Sequence, residues 1–345
     1  MRASTMRDIT RRDFAARAAA ALAALPLVSC QRGSEPGLNG KIVTVLGPIE
    51  PERLGPALPH EHILVDFIGA DRVSRGRYDP DQVYETMLPY LQEIVAQGVS
   101  GFVECTPMYL GRDPELCARL SRATGLHILV PTGMYKEPYL PQYAFEQEAG
   151  RLASSWIAEF ENGIEGTGIR PGFIKIAVFR ESLKPMQVKI VRAACRTHLA
   201  TGMTIACHTG HGPAAMEMLD LLAAEGVPPH ALIVVHANSE SDRQYHYRIA
   251  EKGAWLEYDN IGSWAPEQHL ELLRDMLGRG YGPQILLSMD RGWYHVGEPD
   301  GGDIKPYTYL FGEFLPLLRE SGYGDDIVKM LTVDNPARAF RIDAV

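Results

Sequence analysis

The stretch Gly172-Phe173-Ile174-Lys175-Ile176-Ala177 decides the fold class of this chain. It is a short apolar run, and similar runs recur between segments with helical spacing such as 80–97, 185–201 and 266–280. This alternation predicts βα units in an α/β protein with a parallel sheet. The predicted strands are 60–66, 101–106, 127–133, 172–178, 203–208, 231–236, 254–259 and 284–290. Eight such strands predict a (βα)8 TIM-like barrel. A doubly wound sheet would need a glycine-rich phosphate loop, and the sequence has no GxGxxG or Walker motif.

Composition limits the class of protein. The 345 residues are 46% hydrophobic and 22% charged, which is typical of a folded globular chain. With 34 basic and 43 acidic side chains the net charge is −9, and no basic cluster breaks that balance, so we expect no nucleic-acid partner. The five cysteines are too sparse for a disulfide scaffold and contain no CxxC pair.

The first thirty residues have the pattern of an export signal. Arg11-Arg12 precedes an alanine-rich apolar run over 18–28, and Leu27-Val28-Ser29-Cys30 closes it. The arginine pair resembles a twin-arginine signal and the closing residues resemble a lipobox. We therefore expect export to the periplasm or cell surface, with lipidated Cys30 as the membrane anchor. Residues 31–40 would be a tether and 41–345 a single barrel domain. An amphipathic N-terminal helix and a soluble exported protein cleaved elsewhere remain alternatives.

Polar side chains occur at or near the carboxyl ends of several predicted strands. His60 and His62 are two residues apart and would face the same side of a strand, although they open it rather than close it. His208, His236 and Asp290 end three later strands. Each could instead be a hydrogen-bonded buried histidine or, for Asp290, a helix N-cap. Their coincidence at the face where barrel enzymes hold their active sites predicts a metal site.

Lys175 lies among apolar residues in a predicted central strand. Burying an unpaired ammonium costs several kcal/mol, so this lysine must be paired, exposed or chemically altered. Carboxylation by CO2 would give it two oxygens that can bridge two cations, and four histidines with one aspartate exceed the needs of one zinc. The alternative is a buried ion pair with Glu104 or Asp290.

These motifs together resemble the phosphotriesterase family of the amidohydrolase superfamily, over about residues 41–341. Besides the opening stretch, the motifs are Leu58-Pro59-His60-Glu61-His62, Cys207-His208-Thr209, Val235-His236, Met289-Asp290 and Asn335-Pro336-Ala337-Arg338-Ala339-Phe340. The resemblance implies a distorted barrel with two divalent ions, usually Zn2+, with Mn2+, Co2+ or Fe2+ as alternatives. It also implies a possible homodimer.

The same resemblance implies roles for individual residues. His60, His62 and Asp290 would hold the more buried metal, and His208 and His236 the more exposed one. Carboxylated Lys175 and a hydroxide would bridge the two ions. Asp290 would be the general base when that hydroxide attacks the substrate.

The resemblance is weaker around the substrate. Family triesterases carry an aspartate and a histidine where this chain has Ser239 and Asn260, and the lactonases tend to carry an arginine at the position of Asn260. Six residues in or next to the loops after the strands are candidate substrate contacts, although ordinary loop packing is the alternative. They are Tyr135, Lys136, Asn260, Trp264, Arg291 and Trp293. The aromatic rings could stack on a substrate ring, and the two cationic side chains could hold a carboxylate, a phosphate or a hydroxyl-rich group.

We therefore expect a metal-dependent hydrolase that opens a lactone or a polar carboxylic ester. A phosphotriesterase is the second candidate, because the same hydroxide and cations serve a phosphorus centre. A non-catalytic lipoprotein that uses the barrel to bind a small molecule is the candidate of a different class.

Overall fold

The computed structural model describes residues 37–343. The predicted signal, with its lipobox, and residues 31–36 of the predicted tether lie outside the described residues. Residues 37–40 form a turn in which Leu38 is buried and the Gly40 N–H donates to the carbonyl oxygen of Ile342. Within residues 37–343 no helix has the length and apolar character needed to cross a membrane.

The described strands form a parallel barrel of eight positions and, from the first two strands, a separate antiparallel hairpin. They are β1 Ile42–Thr44, β2 Gly47–Ile49, β3 Ala57–Val65, β4 Gly101–Glu104, β5 His127–Leu129, β6 Pro131–Thr132, β7 Phe173–Ala177, β8 Ile205–His208, β9 Leu232–Val235, β10 Trp255–Tyr258, β11 Ile285–Leu287 and β12 Gly292–His295. Parallel pairing runs β12-β3-β4-β5 and β6-β7-β8-β9-β10-β11. The two arcs meet where the third barrel strand breaks between β5 and β6, and where the eighth breaks between β11 and β12. The predicted (βα)8 fold is confirmed.

Helices follow the strands around the outside of the barrel. They are α1 Pro80–Ala96, α2 Pro114–Thr124, α3 Gln142–Glu146, α4 Ala149–Asn162, α5 Pro185–Thr201, α6 Gly212–Ala224, α7 Arg243–Lys252, α8 Pro266–Gly278, α9 Leu315–Glu320, α10 Asp325–Lys329 and α11 Asn335–Ala339. Proline opens α1, α5 and α8, where its fixed φ and missing N–H suit the first helical position. The α5 bounds match the prediction, and α1 and α8 end one and two residues before it.

The barrel interior changes from apolar to polar along three of the central strands, β7, β8 and β10. Phe173, Ala206 and Trp255 belong to one buried apolar cluster. Side chains two positions further along a strand point to the same side, and those positions carry Lys175, His208 and Glu257. The β1–β2 hairpin, which we did not predict, adds Ile42 and Ile49 to the apolar cluster. The polar layer therefore lies towards the carboxyl ends of the strands.

Candidate metal centre

His60 and His62 lie in the middle of a strand. We predicted that they open it, but β3 begins at Ala57, so residues on both sides hold the motif in the sheet. The pairing of β3 with β4 shifts register between Leu58 and Glu61. Both imidazoles are buried.

The first group of donors surrounds one carboxylate oxygen. Asp290 Oδ1 lies 3.2 Å from His62 Nε2 and 3.7 Å from His60 Nε2. That oxygen is buried and accepts no hydrogen bond from the described residues. Lys175 Nζ lies 3.1 Å from His60 Nε2. These four residues, predicted from three separate motifs, meet at one point.

The second group is a histidine pair. His208 Nδ1 and His236 Nε2 lie 2.8 Å apart, and the Tyr135 hydroxyl is 3.1 Å from the same nitrogen of His208. The ring centroids of His236 and His60 are 5.2 Å apart. The two groups are therefore adjacent.

Burial keeps most of these imidazoles neutral. It lowers the pKa of His60 well below its ordinary value, helped by the charge of Lys175, and it also lowers the pKa of His62 and of His208. A neutral imidazole has the free lone pair that a metal needs. For His236 burial also acts to lower the pKa, but the Asp259 carboxylate outweighs it and raises the pKa.

The Nδ1 atoms of three imidazole rings, those of His60, His62 and His236, each lie next to a buried oxygen atom. Glu257 Oε1 lies 2.6 Å from His60 Nδ1, Asp259 Oδ2 lies 2.7 Å from His236 Nδ1, and the Thr106 hydroxyl lies 2.8 Å from His62 Nδ1. Partners of this kind fix the orientation of metal-binding histidines and increase their basicity. We did not predict Glu257, although a carboxylate in an apolar strand is the same signal that drew attention to Lys175.

Glu61, the middle residue of the His-Glu-His motif, holds the loop that carries Asp290. It is fully buried and accepts hydrogen bonds from the Ser288 hydroxyl at 2.8 Å and from the backbone N–H groups of Met289 and Arg291 at 3.0 and 2.7 Å. Asp290 itself has a φ of +54°, which is unfavourable for a residue other than glycine. The bonds to Glu61 on both sides of Asp290 maintain that conformation.

Lys175 has no acidic partner among residues 37–343. Its side chain is buried, yet no carboxylate oxygen of the described residues lies within 4.0 Å of Nζ. The alternative ion pairs with Glu104 and Asp290 are therefore not formed. Glu104 instead accepts hydrogen bonds from the hydroxyl and the backbone N–H of Thr106.

The donor set fits two divalent cations. Two groups of imidazole nitrogens lie side by side, an orphaned carboxylate oxygen faces one of them, and the remote ring nitrogens of His60, His62 and His236 contact oxygens. His60, His62 and Asp290 could hold one ion, and His208 and His236 could hold the second.

Two cavities open on these donors. The inner cavity, of about 50 Å3, lies among the histidines, Lys175 and Asp290, and Tyr135 and Trp293 also line it. The outer cavity, of about 380 Å3, is lined by Lys136, Phe179, Arg180, Thr209, Gly210, His211, Ser239 and Asn260 and shares His208, His236 and Asp290 with the inner one. The outer volume is enough for a small-molecule substrate.

The predicted substrate contacts divide between these cavities and positions elsewhere. Tyr135 and Trp293 line the inner cavity, and Lys136 and Asn260 line the outer one. Trp264 and Arg291 line neither: the Trp264 ring packs 5.7 Å from that of His269, and the Arg291 guanidinium lies 5.8 Å from the Tyr309 ring.

Two basic residues of the outer cavity, an arginine and a histidine, were not predicted. Arg180 and His211 each come three residues after the end of a barrel strand, β7 and β8. Polar residues at strand ends were the signal for the metal donors. The same signal, extended by three residues into the following loops, identifies both Arg180 and His211.

Comparison with known proteins agrees with this geometry. The family model described as the phosphotriesterase family matches residues 40–340. The phosphotriesterase homology protein of Escherichia coli is 29% identical over 83% of this chain and 98% of its own length. The phospho-furanose lactonase of Mycoplasmopsis synoviae is 25% identical over 87% of this chain and 91% of its own.

A solved structure shows the same likeness in three dimensions. The organophosphorus hydrolase from Deinococcus radiodurans superimposes with a TM-score of 0.81 at 30% identity, covering 89% of this chain and 98% of that one. The predicted family resemblance is confirmed over nearly the whole described chain. This protein belongs to the phosphotriesterase family.

Proposed function

We propose that this protein is a two-metal hydrolase that opens lactones or polar carboxylic esters. The observation that carries the proposal is the convergence of Asp290 Oδ1 with the Nε2 atoms of His60 and His62, beside the His208–His236 pair. An outer cavity large enough for a small molecule opens on the same residues. The lactonase and hydrolase names of the similar proteins support ester-type substrates.

The protein side chains then have distinct tasks. Two divalent ions held by these donors would polarise the carbonyl group of the substrate and lower the pKa of the attacking water. Asp290 would accept the proton of the attacking water. Burial opposes its ionisation, but contacts with His62 and His236 outweigh burial and lower its pKa, so the carboxylate is ionised and has a free lone pair. Glu257 orients His60, and the Trp293 ring, 4.5 Å from that of His62, limits access of bulk water.

We further propose that Lys175 is carboxylated. The uncharged amine attacks CO2, a bond forms between Nζ and carbon, and one N–H proton is released, which leaves an anionic carbamate. The support is a buried amine with no carboxylate partner among the described residues, adjacent to His60. The carbamate oxygens would supply anionic ligands for the two ions, which we propose are Zn2+, with Mn2+, Co2+ or Fe2+ as alternatives.

The test measures metal content and lactone hydrolysis on the same preparations. We expect close to two transition-metal ions per chain, and kcat/KM above roughly 10⁴ M⁻¹s⁻¹ for at least one γ- or δ-lactone, the range of a native activity. Lys175→Ala should lose most of both metals and the activity, whereas Lys252→Ala, at an exposed lysine on α7, should lose neither. A metal-free preparation with full activity would overturn the mechanism.

Phosphotriester hydrolysis is the second candidate. The same donors could serve a P=O group, and the structural likeness to an organophosphorus hydrolase favours testing it. Release of an aryl alcohol from a neutral aryl dialkyl phosphate would report it. The third expectation, a non-catalytic binding lipoprotein, gains no support from the named relatives.

We also propose that the protein is exported and anchored through lipidated Cys30. Fractionation of cells that express the full chain should find it with membranes, and Cys30→Ala should move it to the soluble periplasmic fraction. A homodimer is proposed from the family resemblance alone, and sedimentation of the purified protein tests it.

A further inference from the structure

Two cationic side chains of the outer cavity have no acidic partner. Lys136 Nζ donates to the Val178 carbonyl oxygen at 3.1 Å and lies 5.3 and 5.2 Å from the rings of Tyr135 and Phe179. Arg180 lines the same cavity. Within residues 37–343, no carboxylate oxygen lies within 4.0 Å of either charged group. The positive charge on this wall is therefore not neutralised by a direct ion pair.

The basic groups on that wall also act on one another's pKa values, because like charges repel. Burial is the main cause that lowers the pKa of Lys136 to about 8, and the nearby Arg180 charge adds to it. The same Arg180 charge adds to the effect of burial on the pKa of His211. Like charges held near a pocket with low-dielectric walls attract an anion and are stabilised when it binds.

His211 has an acidic neighbour, Glu240, and therefore adds less positive charge to this wall than Lys136 and Arg180 do. Its Nδ1 lies 3.9 Å from Glu240 Oε2, and Glu240 also accepts a hydrogen bond from the backbone N–H of Gly212. Lys136 and Arg180 thus remain the two charges that face the cavity without an acidic neighbour among the described residues.

The cavity joins these charges to the reaction centre. Its lining includes His208, His236 and Asp290 together with Lys136 and Arg180, in a volume of about 380 Å3. A single small molecule can therefore present its reacting carbonyl to the metal donors and a second group to the cationic wall.

We propose that the outer cavity is a subsite for an anionic substituent of the substrate, a carboxylate or a phosphate, held by Lys136 and Arg180. This inference rests on the proposed function, because it specifies the substrate class as a lactone or ester that carries an anion. The sequence suggested that Arg291 binds an anionic group of the substrate. In the structure the Arg291 guanidinium lies against Tyr309, and Arg180 is the arginine that lines the cavity.

The first experiment compares substrates on the metal-loaded enzyme. A γ-lactone with a ring carboxylate is compared with its primary carboxamide, and a phosphorylated sugar lactone with its unphosphorylated form. Charge-assisted bonds of this kind predict a preference of roughly 10-fold or more in kcat/KM for the anionic member. Arg180→Gln should remove most of that preference, because kcat/KM should fall much further for the anionic members than for the neutral ones, and the metal content should stay at the wild-type value. Whichever pair shows the larger preference distinguishes carboxylate from phosphate.

Arg274→Gln is the matched control. Arg274 is an exposed arginine on α8, so this variant makes the same change in net charge away from the cavity. It should keep the wild-type preference, whereas a loss equal to that of Arg180→Gln would attribute the effect to overall charge and overturn the subsite.

A binding measurement separates this inference from the proposed function. Calorimetric titration of the metal-loaded enzyme with a γ-lactam carboxylate and with its primary carboxamide needs no turnover. Tighter binding of the carboxylate by roughly 10-fold, lost in Arg180→Gln but kept in Arg274→Gln, supports the subsite even if no lactone is opened. Equal binding of the two lactams overturns it even if lactones are opened.

Discussion

The inner and outer cavities share three residues but are built differently. Side chains from buried strands and the loop at Asp290 line the inner cavity, and further partners such as Glu257 and Thr106 hold its histidines. Loops line much of the outer cavity, where Arg180 is exposed and lacks an acidic partner among the described residues. The difference indicates that strand ends determine the chemistry of this barrel, while loops determine which substrate reaches it.

The largest effect should come from the shared residue Asp290. Asp290→Asn removes the proton acceptor and one anionic ligand, so we expect kcat to fall by about 10² to 10⁴-fold. Rates for several lactones, with metal content measured alongside, test this. Because Asp290 serves the chemistry and not selectivity, the ranking of the lactones should not change. A kcat within threefold of wild type would show that Asp290 is not the proton acceptor.

The second test removes a partner of an inner histidine without touching the cavity wall. Glu257→Gln weakens the contact with His60 Nδ1, and loss of such a carboxylate lowers metal affinity or activity by about 10 to 100-fold. Titration of the metal-free protein with Zn2+ measures the affinity. Glu313→Gln, at an exposed position, is the control. Unchanged affinity in the Glu257 variant would show that burial alone orients His60.

Glu61 tests whether the loop at Asp290 is anchored by one carboxylate. Glu61→Gln replaces one acceptor oxygen with an NH2 group that faces N–H or O–H donors, so the free energy of unfolding should fall by about 1–3 kcal/mol. Urea unfolding of metal-free and metal-loaded protein should show this loss in both, because the anchored bonds need no metal. Affinity for one of the two metals should fall as well. A loss confined to the metal-loaded form would contradict the anchoring role.

Much of the inner cavity could be predicted because it depends on strand periodicity. Histidines two apart in β3 and a lysine in an apolar strand indicate donors at one end of a barrel, whatever the loops do. The break in the eighth strand could not be predicted, because it depends on Glu61 accepting bonds from residues more than 200 positions away.

The outer cavity was harder to predict because loop side chains have no such period. Lys136 and Arg291 both follow a strand by a few residues, yet only Lys136 lines the cavity. The Arg291 backbone N–H is bound to Glu61, and its side chain lies against Tyr309. Local packing of this kind leaves no pattern in a single sequence.

The binding of an anionic substrate in the outer cavity should depend on pH. Burial, opposed by Cys207 and aided by the charge of Arg180, lowers the pKa of Lys136 to about 8, and its ammonium lies 5.3 Å from the Tyr135 ring. As pH rises through that value the ammonium loses its proton, so KM for an anionic lactone should rise several-fold while KM for its neutral amide stays flat. Lys136→Arg keeps the charge and should abolish the rise. A rise that persists in that variant would assign it to another group.

The smallest effects should come from the two predicted contacts that line neither cavity. Arg291→Gln and Trp264→Ala change side chains that pack on Tyr309 and His269, so we expect kcat/KM for anionic and neutral lactones to change by less than about twofold, the range of surface substitutions. Arg180→Gln, measured in parallel, should lower kcat/KM for the anionic lactones much more than for the neutral ones. If Arg291→Gln instead lost the anion preference and Arg180→Gln kept it, the loop after β11 would have to move towards the metal donors when substrate binds. The division between a cavity for chemistry and a cavity for selectivity would then be a property of the free enzyme alone.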